Sequence, residues 1–127
     1  MKKFTLHDLE KRVAVRAKAS PAVSYTRQLL DRGVAQCAKK LGEEAIETGL
    51  AAVGESRKRL TSEAADLMYH LLVLLRARKV ALKEVEAALA KRLVQSGLAE
   101  KASRVKKKKQ AKSRKKPRKK PHKRARA

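Results

Sequence analysis

The sequence predicts an all-α domain: four to five helices in a bundle completed by oligomerisation, followed by a disordered basic tail. Three observations carry that prediction. Ala and Leu dominate while aromatics are limited to Phe4, Tyr25 and Tyr69, with no Trp, a composition that favours helices over sheet. Apolar residues recur three and four apart, as in Leu6-Leu9-Val13-Ala17 and Val85-Leu89-Leu93, which lines one face of a helix. Finally, Leu71-Leu72-Val73-Leu74-Leu75 is apolar all round, so its helix must be covered on every side. So few helices cannot supply that cover alone, and an oligomer is expected.

The first helix is predicted from Leu6 to about Ala19. Thr5 with Asp8 three residues on reads as a capping box, and Ser20-Pro21 ends the segment. Ser24 is the N-cap of a short helical piece that Gly33 closes as C′ residue. A long helix follows from about Val34 to Val53. Gly42 and Gly49 inside it each cost about 1 kcal/mol relative to Ala, which suggests close approach by a neighbouring helix or a ligand. Gly54–Leu60 reads as a polar loop carrying Arg57, Lys58 and Arg59. Thr61 or Ser62 then caps a helix from about Ser62 to Arg78. The last helix spans about Leu82 to Ser96, with a poor N-cap in Ala81 and Gly97 as its stop.

Of 127 residues, 35 are Lys or Arg and 12 are Asp or Glu. The stretch 106–127 holds 14 of the basic residues, no acid, and Pro117 and Pro121. It is expected to be disordered and divides the chain into a domain, 1–105, and a tail, 106–127. Contact with RNA, DNA or another polyanion through the tail is a functional alternative to plain solvation; no aromatic is interleaved to stack on bases. Cys37 is the single cysteine, which rules out an intrachain disulfide and fits a reducing compartment. Its apolar helical surroundings make it a core residue. No signal core is visible at the N-terminus, and the longest apolar run, Leu67–Leu75, is interrupted by His70 and about half a membrane span. A cytoplasmic location is expected.

The chemistry sits between Leu41 and Asp66. Five of the acidic residues form two clusters, Glu43, Glu44 and Glu47, then Glu63 and Asp66. Within each, residues three or four apart share a helix face and repel by about 0.2–0.5 kcal/mol per pair. The first cluster alone is ordinary for a surface helix, and Lys40 is placed to pair with Glu44. The second lies on a helix that is otherwise strongly apolar, so a wet face does not explain it. Two facing carboxylate ridges would raise each other's pKa values. They would also make an all-oxygen cage suited to Mg²⁺. An ion there could orient a phosphoanhydride, stabilise the leaving oxygens and activate a water, with a spare carboxylate as base. Lys40, Arg27 and Arg57–Arg59 are candidates to accompany a leaving pyrophosphate. No Gly-rich phosphate loop, Ser/His/Asp arrangement or zinc-ligand spacing is present.

Several stretches together resemble the phosphoribosyl-ATP pyrophosphohydrolase family, within the all-α nucleotide pyrophosphatase superfamily. They are Ser24-Tyr25-Thr26 with Leu29, Leu30 and Gly33; Lys40-Leu41-Gly42-Glu43-Glu44-Ala45-Ile46-Glu47-Thr48; Glu63-Ala64-Ala65-Asp66-Leu67-Met68-Tyr69-His70 through Leu75; and Ser96-Gly97-Leu98-Ala99-Glu100-Lys101. The resemblance covers roughly Leu6 to Arg104. It implies Mg²⁺-dependent hydrolysis of phosphoribosyl-ATP to phosphoribosyl-AMP and pyrophosphate, in histidine biosynthesis, by a dimer. It implies Glu44, Glu47, Glu63 and Asp66 as metal ligands, with Glu43 a ligand or helper among the catalytic carboxylates. Tyr25 and Thr26 either touch the substrate's phosphate or ribose or pin their segment to the bundle. His70, one turn beyond Asp66, either orients that carboxylate or is an interior histidine; Tyr69 reads as core or interface. Many relatives carry a fused cyclohydrolase domain, for which no residues remain here. The alternatives are a house-cleaning nucleoside triphosphate pyrophosphatase with the same cage, and a non-catalytic helical scaffold presenting a nucleic-acid-binding tail.

Overall fold

The structure, a computed structural model, describes residues 2–94 and 97–115. Among them are six helices and no strand: α1 (Leu6–Ala17), α2 (Tyr25–Asp31), α3 (Val34–Gly54), α4 (Arg57–Ala77), α5 (Leu82–Leu93) and α6 (Gly97–Arg114). They fall into two compact units, one ending at Glu86 and the other beginning at Ala87.

In the first unit the local signals set the helix ends. The Thr5 hydroxyl accepts from the Asp8 N–H at 3.2 Å and the Asp8 carboxylate accepts from the Thr5 N–H at 2.9 Å, completing the capping box. The chain then turns through Ser20–Ser24, and Arg16 reaches across to donate to the Val23 carbonyl. Ser24 is fully buried. Its hydroxyl accepts from the Arg27 N–H at 3.1 Å, capping α2, and donates to the Arg16 carbonyl at 2.7 Å. Gly33, which joins α2 to α3, has φ +92°, a backbone state that L side chains avoid. The weak N-cap of α5 is remedied by carboxylates: Glu84 accepts from the Ala81 N–H at 2.7 Å and Glu10 of α1 from the Leu82 N–H at 2.6 Å.

α3 and α4 form a helical hairpin and make the most extensive contact in the chain. The connection is only Glu55-Ser56, not the seven-residue loop expected. Ser56, rather than Thr61 or Ser62, is the N-cap, accepting from the Arg59 N–H at 3.2 Å. Three basic residues in the first turn oppose the helix dipole, but Arg59 recovers this through i,i+4 pairs with Glu55 and Glu63. The core gathers Val13, Leu29, Cys37, Leu72, Val73 and Leu82, with Leu9, Leu30, Tyr69, Leu74, Leu75 and Ala77 packed against it. Cys37 is a core residue as expected. Gly42 and Gly49 meet no neighbour: a Cβ on either would enter open space. The close approach expected there is absent within the chain.

The second unit holds the end of α5 and α6. α5 stops at Leu93, and residues 95 and 96 lie outside the described residues. Gly97 opens α6 rather than ending α5. α6 runs to Arg114, so the first part of the stretch expected to be disordered is helical. The reason is propensity: Lys, Arg, Gln and Ala are all good helix formers, and the first breaker is Pro117. Residues 116–127, the rest of the expected tail, lie outside the described residues. Among the described residues no helix is long and apolar enough to cross a membrane.

Candidate metal centre

The hairpin geometry builds the site. In an antiparallel pair hinged at Glu55, residues equally far from the hinge face one another. Glu44 and Asp66 are each eleven residues from Glu55, and Glu47 and Glu63 each eight. The two acidic clusters therefore meet across the helix interface. Oxygens of Glu44, Glu63 and Asp66 all lie within 4.8 Å of one another. Glu44 and Glu63 are buried at 9% and 6% exposure, and Asp66 is open to solvent. Glu47 lies close enough to repel both Glu44 and Glu63.

Burial drives the electrostatics. Desolvation pushes the Glu44 carboxyl up, and the charges of Glu47 and Asp66 push it further against the pull of Lys40. Glu63 is raised by desolvation too, opposed by Arg59 and reinforced by Glu47. Burial is thus the first cause of the elevation at these two positions, and the facing carboxylates add to it. Three converging carboxylates with nothing but oxygen donors fit a hard divalent cation, and such an ion would relieve the penalty each of them carries.

Cations already stand at the edges. Arg59 Nη2 donates to Glu63 Oε1 at 2.6 Å. Lys40 Nζ is 3.2 Å from Glu43 and 3.9 Å from Glu44, so its nearer partner is Glu43, not Glu44. Glu43 is thus turned toward Lys40 and stands outside the converging trio. That contact is the chief reason the Lys40 ammonium is held above its ordinary range.

α2 and the middle of α4 form a wall beside the acids. The Thr26 and Tyr69 hydroxyls are 2.6 Å apart and Thr26 is buried, so Thr26 pins α2 to α4. Tyr25 stacks near Tyr69 at 6.5 Å between ring centroids and meets His70 edge-on at 6.3 Å, with half its surface exposed. Arg27 is engaged on its own segment, with Asp31 at 2.9 Å and the Ala19 carbonyl at 3.3 Å. His70 is buried, with Nε2 3.7 Å from Glu44 Oε1. It therefore meets a carboxylate of the other helix, while the charge of Asp66 also acts on the ring. Burial first, then Lys40, keeps the ring below the ordinary histidine range, hence neutral. Its Nδ1 has no hydrogen-bond partner among the described residues. Arg59 was among the cations read from the sequence, but its pairing with Glu63 and the His70–Glu44 contact are the two features of the site that residue spacing did not isolate. Only Arg59's i,i+4 distance from Glu63 hinted at the first.

The sequence model of the phosphoribosyl-ATP pyrophosphohydrolase family matches residues 6–93. The chain belongs to this family. That span contains α1–α5 and every residue of the site. Among curated relatives, phosphoribosyl-ATP pyrophosphatase 1 of Bradyrhizobium diazoefficiens is 59% identical over 104 residues, 82% of this chain and 98% of the relative. Phosphoribosyl-ATP pyrophosphatase of Azorhizobium caulinodans is 60% identical over 102 residues, 80% of this chain and 94% of the relative. A Rhodopseudomonas palustris relative, also named phosphoribosyl-ATP pyrophosphatase 1, is 57% identical over 104 residues. The relatives are matched almost end to end, while about a fifth of this chain has no counterpart in them.

Proposed function

We propose that this chain hydrolyses phosphoribosyl-ATP to phosphoribosyl-AMP and pyrophosphate, the second step of L-histidine biosynthesis, as a Mg²⁺-dependent cytoplasmic homodimer. The observation that carries the reading is the meeting of Glu44, Glu63 and Asp66 within 4.8 Å in a chain of this family. Glu44, Glu47, Glu63 and Asp66 would hold the ion. When bound, it supplies charge stabilisation for the phosphate chain and for the departing pyrophosphate. The residues do the rest. A carboxylate of the set takes the proton from the attacking water; the bond between the α and β phosphates breaks and pyrophosphate leaves. Lys40, held beside the acids by Glu43, and Arg59, on the opposite edge through Glu63, offer positive charge to the phosphates. Tyr25 contacts substrate from the wall, and Thr26 acts by fixing α2 through Tyr69. Arg27 reaches substrate by exchanging Asp31 for a phosphate.

The apolar run on α4 is covered within the single chain, with Leu72 and Val73 buried and Leu74 and Leu75 packed against the core, so the dimer reading rests on α3 instead. Ile46, Leu50 and Val53 form one stripe that is 67%, 65% and 90% exposed in the single chain, on the face of α3 turned away from Glu44. Covering such a stripe is worth about 25 cal/mol per Å² of apolar surface. Leu50→Glu should convert a dimer to a monomer in light scattering; a wild-type monomer at 50 µM would refute this part. The basic C-terminal stretch adds a contact with polyanions that is separable from turnover.

The activity is tested by Mg²⁺-dependent pyrophosphate release from phosphoribosyl-ATP beside a panel of canonical and damaged dNTPs. Strong preference for a dNTP would transfer the site to the house-cleaning reaction. Asp66→Asn should abolish turnover with helicity unchanged, and near-normal turnover by that variant would remove the ion from this site. No release from any nucleotide would leave the helical scaffold.

A further inference from the structure

We propose that α6 is a docking helix for double-stranded nucleic acid, gripping the phosphate backbone without reading sequence. The compact-unit boundary is also a charge boundary. Through Glu86 the chain has 17 basic and 11 acidic residues; from Ala87 onward it has 18 basic and one acidic. That one acid, Glu100, is paired with Arg104 at 3.0 Å. α6 itself carries eight of the basic residues in 18, and no residue of it is buried.

The arrangement selects the partner. At 100° per residue, Lys101, Lys108 and Lys112 fall on one line along the helix, flanked by Arg104 and Lys109. Lys106, Lys107 and Arg114 cover the remaining sides. Arg104 and Lys107 line a cleft with Ala88, Lys91 and Arg92 of α5, which leaves the Lys101–Lys108–Lys112 line open. A charged rod about 27 Å long and 10–12 Å wide matches a major groove about 12 Å wide with phosphates on both walls. An anionic membrane is a poorer match. Interfacial helices need a broad apolar face, and α6 has only Leu98 and Val105 as large apolar residues. Single strands are a poorer match too, because no aromatic offers a stacking platform. Lysines meeting phosphates position a protein but carry no base information, so binding is expected to be indifferent to sequence. About a fifth of the chain lies beyond the relatives, and the family match ends at residue 93. Most of this charge thus lies outside the span that the family model matches, and duplex binding is separable from the reaction.

The test is fluorescence anisotropy of the full chain with two unrelated 20-base-pair DNA duplexes across a salt series. With four to seven phosphates engaged, log Kd against log salt should have a slope of about 4–6, so that affinity falls roughly 10²- to 10⁴-fold from 50 to 200 mM NaCl. Lys101→Gln/Lys108→Gln/Lys112→Gln should lower that slope by about 3 and leave pyrophosphate release unchanged. Lys116→Gln/Arg118→Gln/Lys119→Gln/Lys120→Gln should lower affinity without flattening the α6 contribution. No duplex binding at 50 mM NaCl, full binding by the α6 variant, or tighter binding to phosphatidylserine vesicles than to duplex would each overturn the proposal.

Discussion

Replacing Glu44 by Gln probes the metal centre through stability alone. In the folded chain the Glu44 carboxyl is raised above its ordinary 4.5, first by desolvation, then by Glu47 and Asp66. The folded state therefore binds that proton more tightly than the unfolded one. Relative to a neutral side chain, Glu44 costs nothing below about pH 4.5, costs progressively more as pH rises toward the raised folded value, and costs a constant amount beyond it. The size follows from geometry. Carboxylate oxygens 4.8 Å apart repel by about 3 kcal/mol at an effective dielectric of 20 and about 1 kcal/mol in bulk water. Glu63 and Asp66 both lie within that distance of Glu44, and Lys40 attracts it from 3.9 Å, leaving about one pair's worth. In EDTA at pH 7.5, Glu44→Gln should thus be more stable than wild type by about 1–3 kcal/mol, a rise in Tm of about 4 °C or more. At pH 4 the gap should close. Mg²⁺ at 100 times its dissociation constant should then stabilise wild type by about 2.7 kcal/mol and the variant far less. The assay is thermal unfolding at both pH values across a Mg²⁺ titration. A Gln variant less stable than wild type in EDTA at pH 7.5, or equal Mg²⁺ stabilisation of both proteins, would refute the reasoning.

Ser24→Ala removes the α2 cap, costing about 1 kcal/mol, and strands the Arg16 carbonyl it serves, costing about 1–3 more; urea unfolding should show a loss of about 2–4 kcal/mol. Lys79 closes α4 in the left-handed region at φ 57°, with the Val80 N–H bonded to the Leu75 carbonyl at 2.9 Å. That position favours glycine, and Lys79→Gly should raise stability by about 0.5–1 kcal/mol. Cys37 is buried, its thiol donating to the Leu29 carbonyl at 3.3 Å and pushed up by desolvation. A thiol reagent should leave it untouched in the native protein and label one equivalent in guanidinium.

What residue spacing conveyed was local. Thr5 with Asp8, Ser24 and Gly33 each act through one or two neighbouring backbone groups, and each occupies the position read for it. The acidic faces of α3 and α4 were equally legible, because i,i+3 and i,i+4 geometry belongs to a single helix. The register between the two helices was not, because it depends on where the hinge falls. Thr61-Ser62 offered a more conventional cap than Ser56, whose first turn carries Arg57, Lys58 and Arg59. Starting α4 at Ser62 would leave Glu63 in a frayed first turn. Starting it at Arg57 sets Glu63 and Asp66 deep in the hairpin, opposite Glu47 and Glu44. The same distinction separates the two partners of His70. On its own helix the i−4 neighbour is Asp66, yet the contact is Glu44 of α3, a choice made by packing.

Local rules are broken chiefly in one place. Buried carboxylates, like charges across an interface and a buried ring nitrogen without a partner all fall within two turns of α3 and α4. A helical hairpin needing only stability would put Leu or Ala at these positions, as the rest of α4 does. Stability given up at a single convergent point is the mark of a site. The carboxylates share one remedy, an added positive charge, which is why the metal-linked stability of Glu44 is the measurement on which the reading turns.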